Sequence, residues 1–107
     1  MQYVNLVQLA SIDSAYYTSE DVVARDIEGE LVIIQLTSGI GDMEDEIYTL
    51  NETGRAIWKS LDGKRSLREV AKILESEYEA SPDEIEYDVI GLASELVRRK
   101  MLVLVQR

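Results

Sequence analysis

The spacing of apolar positions divides the chain into a β-like front and a helical back. Val22–Ile27 opens with two β-branched residues and reads as a strand. Leu31–Leu36 (LVIIQL) is nearly continuous in apolarity, as expected of a strand covered on both faces or central in its sheet. Glu28-Gly29 between them is a tight-turn signal, so the two strands form a hairpin. Thr37–Asp45 (TSGIGDMED) holds two glycines and three acids and reads as a loop. Glu46–Leu50 (EIYTL) then predicts a third strand, antiparallel to the second, with its outer edge unpaired. Residues 1–18 are the least patterned. Val4, Leu6 and Leu9 hint at an extra strand, and residues 1–15 are assigned as an N-terminal extension to a domain over 16–107.

The helical part carries stronger punctuation. Asn51 is a suitable N-cap, and Leu50, Ile57, Trp58 and Leu61 supply apolar contacts. This helix is expected to stop near Asp62-Gly63, with glycine as a left-handed C-cap. Ser66 and Glu69 have capping-box spacing, followed by Leu67, Val70, Ala71, Leu74 and Tyr78 at helical intervals. Ser81, Pro82 and Glu84 make a second box with proline at the first helical position. The third helix runs to about Arg99, with Ile85, Val89, Leu92 and Leu96 along one face and Val97 and Met101 beside it. Arg98, Arg99 and Lys100 suit the negative end of its dipole, and Leu102–Val105 reads as a last short strand. The order predicts an α+β, winged-helix-like fold: an N-terminal three-stranded antiparallel sheet followed by a three-helix bundle.

At 107 residues the chain has room for one small domain. It contains no cysteine and no histidine, which excludes disulfides, thiolate chemistry, histidine general bases and the usual nitrogen and sulfur metal ligands. No cofactor, metal site or catalytic residue is assigned. A carboxylate pair could in principle do acid–base work, but the acids fall on loops and helix exteriors, as solubilising residues do. Asp42, Glu44 and Glu46 alternate as at the start of a calcium loop. Ile47 then stands where glycine is needed, and Thr53 stands where a bidentate glutamate is needed.

The formal charge of −10 disfavours phosphate backbones. Six of the eleven bases (Arg55, Lys59, Lys64, Arg65, Arg68 and Lys72) fall within eighteen positions, whereas Ile73–Glu95 has eight acids and no base. The third helix therefore lacks the basic and amide side chains that a DNA-reading helix presents. The N-terminus has no basic, then apolar, signal pattern, and no run is long enough to span a membrane, so no membrane partner and a cytoplasmic location are expected.

A third strand with a vacant edge, beside a helix with a broad apolar arc, would form a groove. An extended peptide could dock there by strand addition. By periodicity alone, the reading of Ile85, Val89, Leu92 and Leu96 as plain core is favoured over a groove wall.

The string LNETGRAIW (Leu50–Trp58), followed by LDGKRSLREVAKILESEY, resembles the PqqD-like family. These are the peptide recognition elements of pathways for ribosomally made, post-translationally modified peptides. VVARDIEGELVII (Val22–Ile34) is similar to the family's first hairpin, and DEIEYDVIGLASEL before RRKMLVL is similar to its last helix and tail. The resemblance spans roughly Tyr16 to Val105. It implies a non-catalytic peptide chaperone that binds the leader segment of a precursor peptide as an added strand. The leader is presented to a modifying enzyme, such as a radical-SAM protein, a cyclase or a leader peptidase. Carried over by position, Glu46, Ile47, Tyr48, Thr49 and Leu50 would be the pairing edge. Val89, Leu92, Ala93 and Leu96 would line an apolar wall, and Asp88 and Glu95 would meet basic leader side chains. Asn51, Glu52, Thr53 and Gly54 are expected to be structural, and Trp58 to be core. The competing readings are a winged-helix DNA-binding regulator and a structural subunit of an enzyme complex. Vacant strand edges also leave room for a homodimer.

Overall fold

A computed structural model of the chain describes residues 10–36 and 47–106. In chain order the elements are β1 (Ala15–Thr18), β2 (Val22–Ile27), β3 (Glu30–Gln35), β4 (Ile47–Leu50), α1 (Glu52–Ser60), β5 (Asp62–Ser66), α2 (Leu67–Glu75), α3 (Pro82–Arg98) and β6 (Leu102–Leu104). The strands make two three-stranded antiparallel sheets, β2-β3-β4 and β5-β1-β6. The first sheet and the three helices are those expected from the sequence. The second sheet is not, because it joins segments from both ends and the middle of the chain.

The β2–β3 hairpin turns through Glu28 and Gly29, both at positive φ (53° and 88°). This is a two-residue turn matched to the right-handed twist of its strands. Beyond it, β3 pairs with β4: Leu31 faces Leu50, and Ile33 faces Tyr48. Leu31, Ile33 and Leu50 are buried beneath α1, while Val32 and Ile34 on the other face are only half-buried. The apolar run Leu31–Leu36 thus marks the central strand of its sheet. The expected loop over 37–45 and Glu46 lie outside the described residues.

Helix α1 starts as its sequence predicts, with the Asn51 side chain accepting from the Gly54 N–H. Its end differs from expectation. Leu61 is the C-cap, in extended conformation, and Gly63 lies within β5. The Asp62 carboxylate accepts the backbone N–H groups of Lys64 and Arg65, both at 2.9 Å, and these bonds hold its carboxyl below the usual aspartate range. That turn, with Gly63 at φ +80°, begins a strand rather than ending a helix. The capping boxes at Ser66/Glu69 and Ser81/Glu84 both form. Two remaining first-turn donors of α2 go to the segment before β1: Leu67 N–H to the Ser14 carbonyl and Arg68 N–H to that of Ile12.

Helix α3 ends in a full Schellman motif, with Lys100 in the left-handed region (φ 64°). The Lys100 N–H donates to Val97 O, and the Met101 N–H donates to Leu96 O. The reversal feeds β6 antiparallel to β1. Residues 10–15, expected to be an extension, belong to the packed structure. Ala10 N–H donates to the buried Ser94 Oγ at 2.8 Å, and β1 begins at Ala15. The core unites β3, β4 and all three helices around Ile33, Ile57, Leu67, Leu74, Val89 and Leu96, and Trp58 is buried within it as expected. No described helix is long and apolar enough to cross a membrane.

Candidate functional site

The register of the first sheet decides which backbone groups of β4 are vacant. In a two-residue hairpin the closing pair, here Ile27 and Glu30, exchanges both of its hydrogen bonds. Glu30, Val32 and Ile34 therefore aim their backbone groups at β2. The Leu36 N–H keeps this phase by donating to the Asp21 carbonyl at 2.7 Å. Leu31 and Ile33 consequently aim theirs at β4, where they meet Leu50 and Tyr48. The N–H and C=O groups of Ile47 and Thr49 then point away from the sheet. Among the described residues no strand pairs with that edge.

Beside the edge, α3 presents a stripe at helical spacing: Ile85, Asp88, Leu92, Glu95 and Arg99. Between this stripe and β4 lies a cleft of ≈ 330 Å³, lined by Tyr48, Thr49, Leu50, Thr53, Asp88 and Leu92 among others. Asn51 and Gly54 form its floor at the start of α1. A side chain at Gly54 would press on Leu50, its Cβ only 3.1 Å from Leu50 Cβ, so glycine here lets α1 leave β4 at close quarters. A second cavity of ≈ 270 Å³ opens where α1, α2 and α3 meet, and it shares Thr53, Ile57 and Asp88 with the cleft. The two spaces are therefore neighbours that share a wall.

The opposite end of the cleft is closed by charge. The Arg99 guanidinium carbon sits 4.5 Å from the centre of the Tyr48 ring, a cation–π contact. Gln35 Nε2 donates to the Arg99 carbonyl at 3.2 Å. Glu95 accepts from both Arg98 and Arg99. Hydrogen bonding from Arg98 first, then Arg99, holds the Glu95 carboxyl below the usual glutamate range against the opposing effect of partial burial.

The sequence-derived site residues thus divide. Ile47, Tyr48, Thr49, Asp88 and Leu92 stand at the edge or around the cleft. Leu50 also lines it but is buried. Val89, Ala93 and Leu96 are fully buried, so they back the helix from within and form no exposed wall. Glu95 is engaged by its own two arginines rather than open to a guest. Glu46 lies outside the described residues. The adjoining cavity adds Leu74, Tyr78, Glu79, Ala80 and Ile85. Sequence reasoning missed it. The available signal was an aromatic residue, Tyr78, followed by small Ala80 in the turn before the α3 cap.

Much of the basic cluster is tied down. Arg55 and Lys59 both hold Asp26, Arg68 pairs with Asp13, and Arg65 with Asp62. The Arg55 hydrogen bond is the larger cause of the lowered Asp26 pKa. Among the described residues no cluster of acids is arranged to hold a metal ion.

Comparison with known proteins gives the geometry a family. A curated PqqA binding protein from Xanthomonas campestris pv. campestris is 33% identical over 58 residues, which are 54% of this chain and 63% of that protein. The match thus spans less than two thirds of the relative's length. Three solved structures share the fold. TbiB1 in complex with the TbiA(beta) leader peptide has a TM-score of 0.68 at 23% identity, over 80% of this chain and 93% of that one. A lasso peptide synthetase B1 complexed with its leader peptide has 0.70 at 24%, over 84% and 99%. The PqqD truncation of Methylobacterium extorquens PqqCD, a stand-alone recognition element, has 0.68 at 22%, over 92% and 95%. Residues 26–102 match the family model described as coenzyme PQQ synthesis protein D (PqqD), and the chain belongs to that family.

Proposed function

We propose that this protein is a non-catalytic peptide chaperone. It holds the leader segment of a ribosomally made precursor as a fourth strand on β4 and presents it to a modifying enzyme or leader peptidase. The observation that carries the proposal is the outward-pointing pair of residues, Ile47 and Thr49, beside a cleft rimmed by Leu92 and Asp88. A guest strand about 4.8 Å from β4 would satisfy those backbone groups and lay alternate side chains towards α3. Family membership and the leader-peptide complexes of the structural neighbours support the same function.

The pairing residues we propose are Ile47 and Thr49 through their backbone, with Tyr48, Leu92 and Asp88 through their side chains. Such a chaperone works in the cytoplasm, where precursor and enzyme are made. Titrating the chain with synthetic leader peptides of candidate precursors, by calorimetry and amide hydrogen exchange, tests the proposal. Binding at micromolar affinity or better, with new protection at Ile47 and Thr49, is expected. No heat and no new protection would refute it.

A further inference from the structure

The cavity between α1, α2 and α3 says what kind of peptide the edge selects. It is walled by Ile57, Leu74, Tyr78, Ala80 and Ile85, and it adjoins the β4 cleft, with Thr53 and Asp88 bordering both. Its ≈ 270 Å³ falls just below the roughly 300 Å³ at which small-molecule sites begin, which suits a bulky side chain better than a cofactor. A strand added to β4 and continuing past Leu50 would pass its mouth, where the chain itself turns away into α1.

The charge at that mouth has one sign. Asp88 lines both spaces and Glu79 lines the cavity, and no basic residue lines either. Both acids are exposed, and neither has an ion-pair partner among the described residues. Glu95, on the same stripe of α3, differs because Arg98 and Arg99 neutralise it. The surrounding sequence from Ile73 to Glu95 contributes no base.

Resting on the peptide-binding function above, we infer that the bound segment carries a large apolar side chain two positions from a lysine or arginine, the spacing that puts both on the face towards α3. The apolar group fills the cavity, and the base meets Asp88 and Glu79. An acid at that position would face two uncompensated carboxylates as it loses solvent, so the pair excludes acidic segments as well as attracting basic ones.

The test is selection of a random dodecapeptide display library on the full chain, then on Asp88→Lys and Ala80→Phe. Asp88 and Ala80 are both exposed, so circular dichroism should show both variants folded. Peptides pairing an aromatic or leucine residue with a lysine or arginine two positions away are expected to enrich. Against one synthetic winner, Asp88→Lys should weaken binding about tenfold and select acidic peptides instead. Ala80→Phe, which plugs the cavity, should erase the apolar preference while strand pairing persists. Enriched peptides with neutral or acidic residues at that position would overturn the inference and leave the peptide-binding function standing. Failure of any peptide to enrich would overturn both.

Discussion

Proline at Thr49 separates backbone pairing from every other explanation of binding. The β3–β4 register puts the Thr49 N–H on the vacant side of the strand, so replacing it costs the native ladder nothing. The residue before it, Tyr48, is already extended, as a residue preceding proline must be. What is lost is one donor to the guest, and the guest's carbonyl is left without a partner. An unsatisfied buried acceptor costs about 1–3 kcal/mol, and partial access to water at an open edge points to the lower part of that range. About 1–2 kcal/mol corresponds to roughly 5- to 30-fold weaker binding. Thr49→Ala keeps the N–H and should bind within about twofold of the parent. Tyr48→Pro removes a donor that β3 uses and should lower the melting temperature whether or not peptide is present. Titration calorimetry with the leader, paired with thermal melts, reads all three variants. If Thr49→Pro melts like the parent and binds equally well, the guest does not pair with β4.

Leu92→Asp puts a charge on the half-buried rim of the cleft and should weaken leader binding at least about tenfold while the chain stays folded, whereas Val89→Asp, at a fully buried position, should unfold it; circular dichroism and calorimetry distinguish the two. Gly54→Ala should destabilise by about 1 kcal/mol despite alanine's better helix propensity, because the new Cβ presses on Leu50 Cβ; denaturant melts measure this. Lys100→Gly should stabilise by about 0.5–1 kcal/mol, since glycine takes the left-handed C′ position without strain. Glu95 has a lowered pKa in the folded chain, so its contribution to stability is present above the ordinary glutamate value of 4.5 and lost as pH falls through the lower folded value. The melting-temperature gap between the parent and Glu95→Gln should therefore be widest near neutral pH and close in acid. A gap that widens in acid would contradict the Arg98–Glu95–Arg99 network as described.

What the sequence determined by itself was local. Caps at Asn51, Ser66 and Ser81 work over three residues, the Glu28-Gly29 turn over two, and helical period over a few turns, so each is written within one short segment. The family string from Leu50 to Trp58 is local in the same way. Tertiary structure decided what depends on distant partners. Four-residue β1 has little pattern of its own and exists because it lies between β5 and β6, with Tyr17 opposite Asp62 on one side and Val103 on the other. Gly63 reads as a helix stop until the Asp62 carboxylate captures the next two amides and starts a strand. On α3, Leu92 is as apolar as Ile85, Val89 and Leu96, so composition could not tell the cleft-facing residue from the buried ones. That choice is fixed by how the helix is rolled against α2 and tethered through Ser94 to Ala10, contacts that sequence period does not encode.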